Sequence, residues 1–243
     1  MKYLSRILML INGIIRYPSG LIRRWSISRN LRAIKNIDEF NSYIDRVQPE
    51  SFLFYKNVSE SKRQEFFEFL SSTGIEIKDQ KVLEIGPGYG DVLDICYEKG
   101  AERIDFIDLD PYFFTYNRVK GFTRGYQVDF RNSLGKLSAN RYNFIWGKGF
   151  LSADSIIRWN RPGKWWLSIL LARLERLAEP EYQIIITPHW EIDQQTHQRH
   201  ISDISSTSFY QTMLEHGYTV LPKVKLLNDG ANYPITFSKS SSD

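Results

Sequence analysis

Cysteine is almost missing: Cys96 is the only one in 243 residues. A single thiol forms no internal disulfide and no cysteine-held metal cluster. It falls on the apolar pattern of an expected helix and reads as a core thiol, compatible with a reducing cytosol. Long apolar runs are missing too. The most apolar stretch, YLSRILMLINGII at 3–15, is shorter than the about 20 residues a bilayer span takes. Arg16-Tyr17-Pro18-Ser19-Gly20 after it offers no small-x-small cleavage site, which argues against a secretory leader. Acidic residues are absent from 1–37, where eight basic ones stand (Lys2, Arg6, Arg16, Arg23, Arg24, Arg29, Arg32, Lys35). The net charge of +4 therefore belongs to the N-terminus. Residues 38–243 hold 24 basic and 28 acidic residues, a net −4. Internal repeats and an evident linker are also lacking.

What is present is an ordinary globular composition, 42% apolar and 25% charged, with aromatics at 14%. The chain divides into a basic, amphipathic helical extension at 1–75 and a main domain at 76–243. In 3–15, Leu4, Ile7, Leu8, Ile11, Ile14 and Ile15 share one helical face, with Arg6, Asn12 and Arg16 off it. Two readings stand. The helix rests on an anionic membrane surface through residues 1–35, or it packs on the domain and its arginines are solvated. RNA is disfavoured as its partner, because the flanking residues are aliphatic rather than stacking aromatics. A helix is expected from Asp38 to Pro49, with Phe40, Tyr43, Ile44 and Val47 on one face. A second runs from Ser59 to Gly74 and carries Phe66, Phe67, Phe69 and Leu70. Both should cover the sheet edge or the mouth of a ligand cleft.

The main domain opens on KVLEIGPGYGDVLDICYEKGAERIDFIDLDP, residues 81–111. Strand, glycine turn, helix and strand follow one another, with Val92, Leu93, Ile95, Cys96 and Tyr97 at helical spacing. That is a βαβ start with a ligand-binding turn at the end of its first strand. Later strands are expected at 125–130, at 142–146 broken by Gly147-Lys148-Gly149, and at 182–187 ended by Pro188. Helices are expected near 164–178 and 206–216. Two final strands at 218–227 and 232–237 precede a polar tail from Ser238.

The turn excludes the commoner nucleotides. A dinucleotide fingerprint requires Gly at position 91, which is Asp91, and a P-loop requires Lys and Ser/Thr after its last glycine. What stands is E-x-G-x-G-x-G: Glu84, Gly86, Gly88 and Gly90, with Pro87 inside the turn. Glu84 suits a ligand bearing a cation, and the glycines allow close approach to backbone. Asp108, with Leu109 beside it, ends the second strand where a carboxylate takes two ribose hydroxyls. Asp129 and Phe130, at the end of the third strand, offer an acceptor for an exocyclic amine and a face for a purine. An ammonium group, a ribose and an adenine without phosphate describe S-adenosylmethionine.

On these residues the chain resembles the class I S-adenosylmethionine-dependent methyltransferases, over about 81–237. The resemblance implies an α/β, Rossmann-like, seven-stranded and mostly parallel sheet with helices on both faces and the last strand antiparallel. It implies S-adenosylmethionine as cofactor. The methionine part lies at Glu84, Gly86, Gly88 and Gly90, the ribose at Asp108 and the adenine amine at Asp129. It implies an enzyme that transfers a methyl group. The acceptor is less legible. Thr187-Pro188-His189-Trp190 follows the fifth strand, and His189, His197 and His200 hold three of the 4 histidines. His189 or His200 could take a proton from an oxygen nucleophile; loop histidines that shape the pocket are the alternative. Their spacing on a loop is uninformative about metal, and no metal is expected. Lys148, Asp154, Trp159, Trp165 and Trp166 could line the acceptor pocket. The Asn-Pro-Pro-Tyr type motif of amine-nitrogen methylation is missing after the fourth strand. An oxygen of a small-molecule or glycan acceptor, including a lipid-linked one, is therefore expected. The expected location is the cytoplasm, with any peripheral contact at the inner membrane surface. Two rivals stay open: an RNA methyltransferase using the basic N-terminus, and a non-catalytic methyltransferase-like module.

Overall fold

The structure, a computed structural model, describes residues 27, 29–49, 52–53, 59–128, 137, 141–152, 160–189, 207–221 and 236–241. Helices α1 (Ile37–Val47), α2 (Ser59–Thr73), α3 (Asp91–Glu98), α4 (Pro111–Val119), α5 (Asn160–Glu175) and α6 (Ser208–Glu215) surround one sheet. Its strands are β1 (Lys81–Ile85), β2 (Arg103–Asp108), β3 (Arg124–Gln127), β4 (Tyr142–Ser152), β5 (Ala178–His189), β6 (Thr219–Val220) and β7 (Phe237–Ser240). They lie in the order β3-β2-β1-β4-β5-β7-β6. Strands β1 to β5 pair in parallel, and β7 runs antiparallel to both β5 and β6.

The central strands are apolar because both faces are covered. Leu83, Ile85, Ile145 and Ile184 face a core built with α5 and α6 through Leu167, Leu170, Leu174 and Met213. Val82, Phe106, Phe144 and Trp146 face the opposite core, where α2 and α3 bring Phe66, Phe69, Val92 and Ile95. Cys96 belongs to that second core and is fully buried. Tyr97 departs from the expected apolar stripe: it is 74% exposed.

Several boundaries differ from the sequence pattern, each for a physical reason. Gly147-Lys148-Gly149 does not break β4. Gly147 pairs with both Ile85 and Ile186, and the strand runs on to Ser152. Gly149 has φ 71°, and the register with β5 shifts between Lys148 and Ser152. The glycine bends the strand instead of ending it. Strand β5 likewise extends past its expected 182–187 and includes Pro180 and Pro188. Both prolines lie outside Gln183–Ile186, the part paired to β7 as well as β4, so neither removes a doubly paired amide. Helix α5 begins earlier than expected, at Asn160, and ends earlier, at Glu175, because Ala178 already pairs with Tyr142.

The polar tail expected from Ser238 is in fact β7, and the strand expected at 232–237 reaches it only at Phe237. Ser238 is 5% exposed between β5 and β6. Lys239 hides this strand from a hydropathy reading. Its ammonium donates to the His216 carbonyl at 2.6 Å, pairs with Glu175 at 3.1 Å and sits over the Tyr218 ring. Of the strand expected at 218–227, Thr219–Val220 is described. Residues 129–130, where the third strand was expected to end, and the apolar helix of 3–15 lie outside the described residues. Among the described residues no helix is long and apolar enough to cross a membrane.

Candidate functional site

The sheet reverses its winding between β1 and β4, and the crevice of such a switch point opens at the carboxyl ends of the strands. The glycine turn stands there. Gly86 leaves β1 with its amide on the Ile107 carbonyl at 2.8 Å, which pins the turn to β2. Gly86, Gly88 and Gly90 have φ of 72°, 57° and 74°, a region that L side chains rarely adopt. The requirement is strictest at Gly90. A Cβ there would sit 2.0 Å from Asn117 Oδ1. Gly90 then opens α3, and the Asp94 amide bonds to its carbonyl at 2.9 Å.

Asn117 gives the turn its second anchor. It is fully buried on α4, and its Nδ2 donates to the Gly88 carbonyl at 2.7 Å and the Phe113 carbonyl at 2.9 Å. The sequence reading missed it. The available signal was a polar residue at a core-facing position between Tyr116 and Arg118. Tyr89, between Gly88 and Gly90, was also passed over. It is 7% exposed, and its hydroxyl donates to the Phe52 carbonyl.

Asp108 ends β2 on the far side of the turn, 7% exposed. The Asp110 amide donates to its Oδ1 at 2.8 Å. Asp110 itself caps α4, accepting from the Tyr112 and Phe113 amides at 2.8 and 3.3 Å, with Pro111 at the first helical position. The two acids of Asp-Leu-Asp-Pro thus divide the work: the second builds the helix start, and the first is left facing the crevice. Burial pushes the Asp108 carboxyl up to about 7, helped by the Asp110 charge and opposed by the backbone amides of Asp110, Gly88 and Leu109. Leu109 is exposed at 42%.

Glu84 is 4% exposed and shares the β1 face of Val82. Its carboxylate lies close enough to α3 to add to the effect of burial in raising the Cys96 thiol. Pro87 is buried within the turn, and its carbonyl accepts from the Gly90 amide at 3.0 Å. The structure therefore brings together Glu84, Gly86, Pro87, Gly88, Gly90, Asp108 and Leu109. Asp129, Phe130, His197 and His200 lie outside the described residues. His189 ends β5 on the same carboxyl edge, in register with Ser152 of β4, and Lys148 pairs with Thr187 just before it. Thr187 Oγ1 and Thr236 Oγ1 lie 3.0 Å apart, both buried. Among the described residues no three His, Cys, Asp or Glu side chains form a group that could hold a metal ion.

A seven-stranded sheet in the order 3-2-1-4-5-7-6, with β7 antiparallel, here carries a glycine turn after β1 and an acid after β2. This is the Rossmann-like fold of the class I methyltransferases. The architecture expected from the sequence resemblance is the one observed. No protein-family model matches the chain, and no curated protein matches it. Solved structures resemble it in fold. One is magnesium protoporphyrin IX methyltransferase from Synechocystis PCC 6803 with bound S-adenosylmethionine. It is 12% identical, with a TM-score of 0.47, covering 88% of this chain and 96% of that one. A second is an S-adenosylmethionine-dependent methyltransferase from Mesorhizobium loti: 11% identity, TM-score 0.44, covering 70% and 95%. A third is the ribosomal protein L11 methylase of Lactobacillus delbrueckii subsp. bulgaricus: 15% identity, TM-score 0.44, covering 70% and 74%. At such identities and scores a likeness says nothing of substrate or activity.

Proposed function

We propose that this chain is an S-adenosylmethionine-dependent methyltransferase acting on an oxygen of a small molecule, a sugar or a lipid-linked intermediate. The observation that carries the donor assignment is Asp108. It is a buried acid at the end of β2, across from a left-handed glycine turn that holds no cationic side chain. Ribose hydroxyls can donate to such a carboxylate, and a pyrophosphate would meet a negative group with no lysine or arginine in the turn. The residues therefore fit the adenosyl donor. Gly86, Gly88 and Gly90 would hold its methionine part close to backbone, with Glu84 supplying the negative charge beneath. Asp129 and Phe130 are assigned to adenine on the sequence resemblance alone. The donor supplies a methyl carbon activated by sulfonium. The protein's part is to align that carbon with the acceptor oxygen and exclude water. His189, placed at the carboxyl edge by β5, or His200 would take the hydroxyl proton.

Calorimetric titration of the full chain with S-adenosylmethionine tests the assignment, followed by methyl transfer from labelled donor into lysate fractions. Saturable binding by the wild type, with binding retained but turnover lowered at least tenfold in His189→Ala or His200→Ala, is the expected result. Absence of heat sinks the donor assignment. Full turnover in both variants removes the histidines.

A peripheral membrane contact through residues 1–35 is part of the same proposal. It is supported by the all-basic charge of that segment and by Arg32 and Lys35, which are exposed where the segment meets α1. Anionic vesicles should pellet the full chain at low salt and release it as salt rises, while a 1–26 deletion stays in solution. Equal pelleting of both would end the membrane reading. Salt-dependent binding of RNA by the full chain alone would favour an RNA acceptor in its place.

A further inference from the structure

We infer that residues 29–49 and 52–53 are a working part of the methyl-donor site: by docking on Tyr89 through Phe52, this segment holds the glycine turn in its donor-binding shape. The inference rests on the donor reading above. A turn with three left-handed glycines has little conformational preference of its own, so its shape comes from what grips it. Besides the Gly86 amide bond to β2, two side-chain grips are visible. From α4, Asn117 holds the Gly88 carbonyl. From the N-terminal segment, Phe52 packs its ring 4.6 Å from that of Tyr89, and its carbonyl accepts the Tyr89 hydroxyl bond.

The one side chain between Gly88 and Gly90 therefore points away from solvent, into an aromatic cluster formed with Phe40, Phe52, Phe113 and Tyr116. Helix α4 ties the two grips together. One residue beyond Asn117, the Arg118 guanidinium donates to the carbonyls of Leu31 at 3.2 Å and Ile34 at 2.7 Å. The segment, the turn and α4 thus share one set of contacts. The Gly88 amide also faces Asp108, so a displaced turn disturbs the ribose acid as well. Docking of the segment and binding of the donor must then favour each other equally.

The test uses the full chain. Saturating S-adenosylmethionine is expected to slow amide hydrogen exchange across 31–49 by about fivefold or more. Tyr89→Phe keeps the ring contact and removes only the hydrogen bond to the Phe52 carbonyl. It is expected to weaken donor binding about fivefold at a temperature well below melting, the effect of one hydrogen bond. Phe52→Ala is expected to weaken it more, with partial recovery in Phe52→Leu. Should Phe52→Ala fail to fold, Tyr89→Phe and the exchange measurement still decide. A purely structural role would lower melting temperatures and leave donor affinity and donor-dependent exchange unchanged. That result, in a wild type that binds donor, overturns this inference alone. A wild type that binds no donor overturns the donor reading and this inference with it.

Discussion

Replacing Gly90 with alanine is expected to lower stability by on the order of 4 kcal/mol and to abolish measurable donor binding. Two effects add. Holding an L residue in the left-handed region costs about 1–2 kcal/mol, and Gly90 has φ 74°. The new Cβ would also stand 2.0 Å from Asn117 Oδ1 and 3.1 Å from its Cγ. Asn117 is short, fully buried and tied to two carbonyls. It can yield only by giving up hydrogen bonds worth about 1–3 kcal/mol each when their partners stay buried. The Gly88 carbonyl, once released, loosens the turn itself. Urea denaturation of Gly90→Ala, Asn117→Ala and the double variant separates the effects. The double variant should lose less than the sum of the singles, because the collision is removed and only the backbone strain adds to the loss of the Asn117 hydrogen bonds. A Gly90→Ala protein within 1 kcal/mol of wild type would refute the account of the turn.

Donor affinity is expected to fall about fiftyfold between pH 7 and pH 5, the slope approaching tenfold per unit at the acid end, and Asp108→Asn should be weak and flat over that range. The reason is the raised Asp108 carboxyl, pushed up to about 7 by burial. Ribose hydroxyls donate to the ionised form, so protonation and donor compete. Comparison with the asparagine variant cancels the donor's own titration. The same shift makes the stability of the donor-free protein depend on pH. The folded pKa lies above the ordinary 3.8, so the folded state holds its proton more tightly than the unfolded one. The stabilisation is fully present below about pH 4 and is lost as pH rises through about 7. Relative to Asp108→Asn, the wild type should gain up to about 4 kcal/mol on moving from neutral pH to pH 4. A donor affinity that does not change with pH, or changes equally in Asp108→Asn, would remove Asp108 from the ribose.

The stretch 81–111 carried most of what could be read without a structure. Its strands alternate with a helix at spacings that local chemistry sets, and its glycines stand where only glycine tolerates the backbone. Asp108 was legible because the end of a second βαβ strand is a fixed place in such a fold. Elsewhere local pattern misled. Gly147 and Gly149 look like a strand break, yet Gly147 is paired on both sides of β4 and the register with β5 only shifts around Gly149. Ser238, Lys239 and Ser240 look like a tail, yet β5 pairs with all three as a strand and β6 joins at Ser238. In both cases long-range pairing outweighs local preference.

The sequence alone determined the turn and its acids and, through the lack of a lysine after the last glycine and of a glycine at 91, the expectation of a ligand without phosphate. Those are local matters: steric limits on φ and the charge of side chains a few residues apart. Only the tertiary structure decided what grips the turn. Asn117 lies 29 residues from Gly88, and Phe52 lies 37 from Tyr89. Nothing in the spacing of an asparagine and a phenylalanine so far from the turn announces those contacts. They exist because α4 and the N-terminal segment pack on the same side of the crevice. Burial, which raises the Asp108 carboxyl, is likewise a property of the packed chain and of no short stretch within it.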